Sequence, residues 1–151
     1  MLFRSVLIYR KGETRLVSRA DCEYTYKHSA FMENGSVILG AYLHLVDETV
    51  EKIRERENYY RQRRAHLPKG KSMGCVFKNP NGVNAGELIE HSGLKGLRVG
   101  GAYVSSEHAN FIINDGTAKS KDIKSLISLI KAAALAQYGI RLEEEIRYIP
   151  T

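Results

Sequence analysis

Cys75 stands in the run Gly74-Cys75-Val76-Phe77-Lys78-Asn79-Pro80, and Glu145 closes the acidic triplet of Leu142-Glu143-Glu144-Glu145-Ile146-Arg147. A thiol with an ordinary pKa of about 8.5 is mostly protonated near neutrality, so it can donate a proton as readily as it can act as a nucleophile. A carboxylate brought to the same place would complete a proton-transfer site. Gly74 predicts a glycine-flanked turn in which a substrate can approach the sulfur closely. The ordinary alternative for Cys75 is a buried structural cysteine, which is how Cys22 reads. For Glu145 the alternative is a solvated outer face, and Glu143 and Glu144 look the same from their surroundings.

Two further groups carry charge of the right kind. Tyr26-Lys27-His28-Ser29 is a polar and aromatic stretch just before an apolar one, where Lys27 can supply a cation to a developing negative charge or simply lie in an exposed turn. Between residues 52 and 71 the basic residues Arg61, Arg63 and Arg64 crowd the end of a helical pattern that also holds Tyr59 and Tyr60. Cations and stacking aromatics are what a nucleic acid uses, but the interleaved Glu51, Glu55 and Glu57 favour a solvated face or a diphosphate contact instead. Cys75, His108 and Asn110 occur in the order of a cysteine-peptidase triad. Pro80-Asn81-Gly82 argues against it, because a turn follows where such enzymes start a helix. The five histidines show no His-x3-His spacing and the two cysteines no Cys-x2-Cys, so a metal site is not expected.

The elements that must position these groups follow from periodicity. Val6–Tyr9 and Thr14–Val17 flank Lys11-Gly12 as a hairpin, and Val37–Leu45 alternates as a strand expected inside a sheet. Asp47 predicts the cap of a helix reaching about Ala65, and Asn84 with Glu87 predicts a capping box for a short helix stopped by Gly93. Leu97–Val104 and Ala109–Asn114 read as strands. Ser120 is expected to cap a helix with Ile123, Leu126, Ile127, Ile130, Ala133, Ala134 and Tyr138 on one face and Gly139 past its end. A last strand alternates Ile140, Leu142, Ile146 and Tyr148 against Arg141, Glu143, Glu145 and Arg147.

The chain of 151 residues carries a formal net charge of +6, 43% hydrophobic and 26% charged residues, which describes an ordered globular protein whose surface attracts anions. No apolar run approaches the ~20 residues of a membrane span. With no charged-then-apolar leader and at most one possible disulfide, residence in a reducing cytoplasm is expected.

Four segments in this order, Gly74–Pro80, Ala85-Gly86-Glu87-Leu88-Ile89-Glu90, Gly93–Asn114 and Leu142–Arg147, resemble the C-terminal half of the UDP-N-acetylenolpyruvoylglucosamine reductase family, from about Val6 onward. The resemblance implies an α+β fold: residues 1–47 as the tail of a flavin-binding domain of the vanillyl-alcohol-oxidase/PCMH-like type, and 48–151 as a substrate-binding domain. It implies FAD reduced by NADPH, hydride transfer to UDP-N-acetylglucosamine enolpyruvate in peptidoglycan synthesis, and proton donation from a Ser or Cys at the position of Cys75. It also selects Glu145 among the three glutamates, and makes Asn79, Tyr26, Arg63 and Arg64 substrate contacts. The family's Tyr-Arg-x-Ser-x-Phe appears as Tyr26-Lys27-His28-Ser29-Ala30-Phe31, so a lysine stands where the family has a catalytic arginine. Its glycine-rich flavin loops are not matched, which leaves a missing N-terminal half as a possible partner and a non-catalytic UDP-sugar or phosphorylated-ligand module as the alternative. Neither nucleic acid nor membrane is an expected partner.

Overall fold

The computed structural model describes residues 2–149 and has an α+β architecture in two compact units, Met1–Tyr59 and Tyr60–Thr151. The division falls within a helix.

In the first unit, β1 (Leu2–Arg10), β2 (Glu13–Ser18) and β3 (Val37–His44) form an antiparallel sheet in the order β2-β1-β3. The β1–β2 hairpin closes through Lys11 (φ 50°) and Gly12 (φ 88°), two positive angles whose twist matches that of the flanking strands. Val6, Ile8, Val17 and Cys22 form a small core, with Phe3 and Phe31 packed against it. The strand at 37–44 is where it was expected, but at an edge of the sheet rather than inside it. It pairs only with β1 among the described residues, so the apolar side chains of Val37, Ile38, Leu39, Tyr42 and Leu43 stay exposed.

Helix α1 (Val50–Arg64) buries no residue, and Asp47 does not cap it. Thr49 does: its Oγ1 accepts the Lys52 N–H at 3.5 Å. A threonine directly before the helix can reach the N–H three residues on, whereas Asp47 lies too far back along the chain. Glu48 pairs with Lys52 at 3.3 Å and Arg56 at 3.0 Å, holding the first turns by charge.

The second unit is built on an antiparallel sheet in the order β4-β7-β6-β5, from β4 (Lys71–Cys75), β5 (Arg98–Val99), β6 (Ala102–Val104) and β7 (Phe111–Asn114). The expected single strand over 97–104 is a hairpin, because Gly100 and Gly101 turn the chain between β5 and β6. Helices α2 (Ala85–His91) and α3 (Ser120–Tyr138) complete the unit. Asn84 caps α2 as predicted, its Oδ1 accepting from Gly86 at 2.9 Å and Glu87 at 3.4 Å. Ser120 is already the first residue of α3. The start is held instead by Asp122, which accepts the Lys119 N–H at 2.9 Å. Leu126, Ile127, Ile130 and Ala134 of α3 pack with Val76, Phe77, Ile89, Ala102, Val104, Ile112 and Leu142 in one core.

The C-terminal run is not a regular strand: among the described residues it makes one bridge, Phe77 opposite Glu144. Burying Leu142 in the core holds it in place.

The β5–β6 turn is packed without slack. A Cβ on Gly101 would lie 2.3 Å from the Ala118 backbone nitrogen and 2.5 Å from the Thr117 hydroxyl. Gly101→Ala is therefore expected to destabilise the second unit by about 2–3 kcal/mol, since backbone must move to admit one methyl group. A lowered urea midpoint at unchanged slope checks this.

Candidate functional site

Cys75 is the last residue of β4 and lies opposite Phe111 of β7. It is not in a turn. Between the pairs Ser72–Ile113 and Cys75–Phe111, β4 advances three residues while β7 advances two, so β4 carries a bulge. Gly74 occupies it at φ 82°, with nothing within 4 Å of where a Cβ would be. The glycine is required by backbone conformation, which re-aims the residue after it. Cys75 is half-buried and unbridged, whereas Cys22 is fully buried and donates its thiol to the Ser18 carbonyl at 3.1 Å.

Beyond Cys75 the run Val76–Lys78 is bonded on both sides. On one side the buried Asn110 accepts the N–H groups of Val76 (3.2 Å) and Phe77 (2.9 Å) on Oδ1, and donates Nδ2–H to the Phe77 carbonyl at 2.9 Å. On the other, the Glu145 N–H donates to the Val76 carbonyl at 2.8 Å and the Lys78 N–H to the Glu143 carbonyl at 2.9 Å. The backbones of Cys75 and Glu145 are thus linked through the single intervening residue Val76. The loop then closes at Asn79, whose Oδ1 accepts the Ala85 N–H at 3.0 Å, and Pro80–Gly82 make one short helical turn.

The three glutamates now differ. Glu143 is ion-paired with Lys78. Glu144 accepts from Lys131 Nζ at 2.9 Å and from the Tyr148 hydroxyl at 2.6 Å. Burial raises the Glu144 pKa, but those two donors outweigh it and hold the carboxyl below its ordinary range. Burial, and then the same Glu144 contact, push Tyr148 up to about 12. Glu145 is half-buried, and its backbone is the one tied to the residue after Cys75.

The peptidase-like trio is brought together without the geometry it would need. His108 Nδ1 accepts the Asn110 backbone N–H at 3.2 Å and its ring lies against Phe111, while the Asn110 carboxamide is spent on Val76 and Phe77. Asn110 is the residue that sequence reasoning undervalued. The signal was there: an asparagine directly before the apolar run Phe111-Ile112-Ile113 has to be buried with its polar atoms satisfied.

Arg63 and Arg64 lie exposed at the end of α1. Tyr26 and Lys27 belong to the first unit, at the tip of a turn closed by Thr25 and His28 through reciprocal backbone bonds of 3.2 and 3.3 Å. Lys27 has φ 56°, a left-handed conformation uncommon for a residue with a side chain and one that clusters at functional sites. Among the described residues no group of three or more His, Cys, Asp or Glu is placed to hold a metal ion, and no helix is long and apolar enough to cross a membrane.

Residues 65–149 match the family described as UDP-N-acetylenolpyruvoylglucosamine reductase, C-terminal domain. The chain is 42% identical over 139 residues to the UDP-N-acetylenolpyruvoylglucosamine reductase of Syntrophobacter fumaroxidans, covering 91% of this chain and 40% of that protein. To the reductase of Protochlamydia amoebophila it is 42% identical over 140 residues, covering 93% of this chain and 47% of that protein. Its fold superposes on the crystal structure of UDP-N-acetylenolpyruvylglucosamine reductase from Thermus caldophilus with a TM-score of 0.88 at 34% identity, over 98% of this chain and 53% of that one. The chain thus spans about half the length of the curated relatives it matches. On the family match and these likenesses, the chain belongs to the UDP-N-acetylenolpyruvoylglucosamine reductase family.

Proposed function

We propose that the chain is the substrate-side part of a reductase that saturates the double bond of UDP-N-acetylglucosamine enolpyruvate in the cytoplasm, with Cys75 as the proton donor. The observation that supports this best is the hydrogen bond from the Glu145 N–H to the Val76 carbonyl, which joins the thiol and carboxylate motifs. Residues 48–151 act as the substrate-binding part, and the first strands as the tail of a flavin-binding domain.

Reducing an enolpyruvyl C=C takes a hydride at one carbon and a proton at the other. FAD reduced by NADPH supplies the hydride in the family reading. Among the described residues no α-helix is preceded by a Gly-x-Gly-x-x-Gly loop, so no pyrophosphate cradle of that kind lies in them. What this chain provides is the other half of the addition. A protonated Cys75 thiol gives its proton to the carbon left electron-rich, Glu145 donates a hydrogen bond or proton to the enol that forms, and in the family reading the Lys27 cation stabilises the developing negative charge. Lysine does this as a point charge where a guanidinium would form a planar fork. Asn79, Tyr26, Arg63 and Arg64 contact the UDP-sugar, the arginines at its diphosphate.

A chimera tests the assignments: this chain in place of the matching segment of the Thermus caldophilus enzyme. Cys75→Ala should lower kcat by about 10²–10⁴-fold, with KM changing far less, while Cys75→Ser should keep most of the activity. Unaltered kcat in Cys75→Ala would remove Cys75 from the reaction. In the same background Glu145→Gln should slow oxidation by substrate and leave reduction by NADPH at its original rate, both read by stopped-flow absorbance.

The 151-residue chain itself, mixed with FAD, NADPH and substrate, is expected to show no substrate-dependent loss of NADPH absorbance. Calorimetric binding of the UDP-sugar by the same chain, with an inactive chimera, would favour the non-catalytic binding module.

A further inference from the structure

We propose that Asn110 is the positioning residue of the Cys75–Glu145 pair, fixing the path of the thiol loop and, through Val76, the register of the glutamate. This rests on the proton-transfer reading of Cys75 and Glu145.

Regular pairing between β4 and β7 ends at Cys75 opposite Phe111. Beyond that point the neighbouring segment offers one more main-chain bond, from the Asn110 carbonyl to the Val76 N–H, and then folds back: the Phe111 N–H returns to the His108 carbonyl at 3.0 Å, and the Ser105 hydroxyl accepts from Glu107 and His108. Val76 and Phe77 are nonetheless fully buried, so their peptide groups need partners. The Asn110 carboxamide takes the place of the missing peptide group. It offers an acceptor to two N–H groups and a donor to one carbonyl, and the Asn110 main-chain carbonyl adds a 2.8 Å contact to the Val76 N–H. A carboxamide provides an acceptor for two N–H groups and a donor to a carbonyl on separate atoms without a charge, as only asparagine and glutamine side chains do.

The consequence reaches Glu145. Val76 is held by Asn110 at its N–H and by Glu145 at its carbonyl. Because the C-terminal run makes one bridge among the described residues, a shift of Val76 is passed to Glu145 rather than absorbed by a ladder. An asparagine that served only core stability would not be expected to act locally on these two residues.

The test uses the full 151-residue chain with Asn110→Ala and Asn110→Asp. In Asn110→Ala, amide exchange at Phe77 and Glu145 should rise about tenfold or more while the Ile127 and Ile130 amides of α3 change by less than about threefold. Cys75 should react several-fold faster with a dipyridyl disulfide, with buried Cys22 as the internal control. Asn110→Asp gives the sharper readout, since a neutral carboxyl restores the donor to the Phe77 carbonyl and an ionised one cannot. Cys75 reactivity in that variant should fall towards wild type as pH drops through titration of the new carboxyl. The wild-type profile carries the same His108, Lys78, Glu143 and Glu145 and serves as the baseline. Equal acceleration in α3, unmoved Phe77 and Glu145 amides in Asn110→Ala, or an Asn110→Asp profile parallel to wild type would each overturn the proposal. If Asn110→Ala does not fold, Asn110→Asp carries the test alone. Should Cys75→Ala keep full kcat in the chimera, the chemical role falls while the exchange result stands, so the two failures are separable.

Discussion

The second unit depends on one buried carboxamide standing in for a stretch of β-ladder. A buried N–H or carbonyl left without a partner costs about 1–3 kcal/mol, and the Asn110 side chain spares Phe77 two such losses while adding a second acceptor for the Val76 N–H, which the Asn110 main-chain carbonyl already holds. Phe77 can then be fully buried among Leu126, Ile130 and Leu142 without leaving polar backbone stranded in the core. The bulge at Gly74 is the other half of the device. It re-aims Cys75 at the end of β4, and the residues after it run between Asn110 and the C-terminal segment.

Much of this was legible from the residues. The Asn84 cap, the buried face of α3, Gly139 at its left-handed end and the β1–β2 hairpin all follow local rules, and local rules can be read in sequence. The misses share a cause. The edge position of β3, the single bridge made by the C-terminal run and the splitting of 97–104 into β5 and β6 depend on which distant segment comes alongside, and alternation records only that a face is apolar. The Gly100-Gly101 pair could have signalled the turn. An asparagine before three apolar residues could have signalled a buried polar anchor.

The three glutamates show where the limit of periodicity lies. Alternation puts Glu143 and Glu145 on one side and Glu144 on the other, but it cannot rank them. The structure separates them by partners: Lys78 for Glu143, Lys131 and Tyr148 for Glu144, and for Glu145 a backbone tie to Val76. Tyr148, whose pKa stands near 12, stays a hydrogen-bond donor throughout the physiological range, so Glu144 keeps that partner whenever it is ionised.

Helix α1 bears on the proposed diphosphate contact in a different way. It buries nothing, so its stability comes from the Thr49 cap, the Glu48 pairs with Lys52 and Arg56, and an acidic first turn opposite a basic last one. Ion pairs this exposed contribute at most about 1 kcal/mol each and weaken with salt. A helix held in this way does not fix guanidinium groups as a packed scaffold would. In the proposed diphosphate contact, the contribution of the exposed cations Arg63 and Arg64 to affinity should be more sensitive to ionic strength than that of the neutral Asn79, whose side chain accepts the Ala85 N–H.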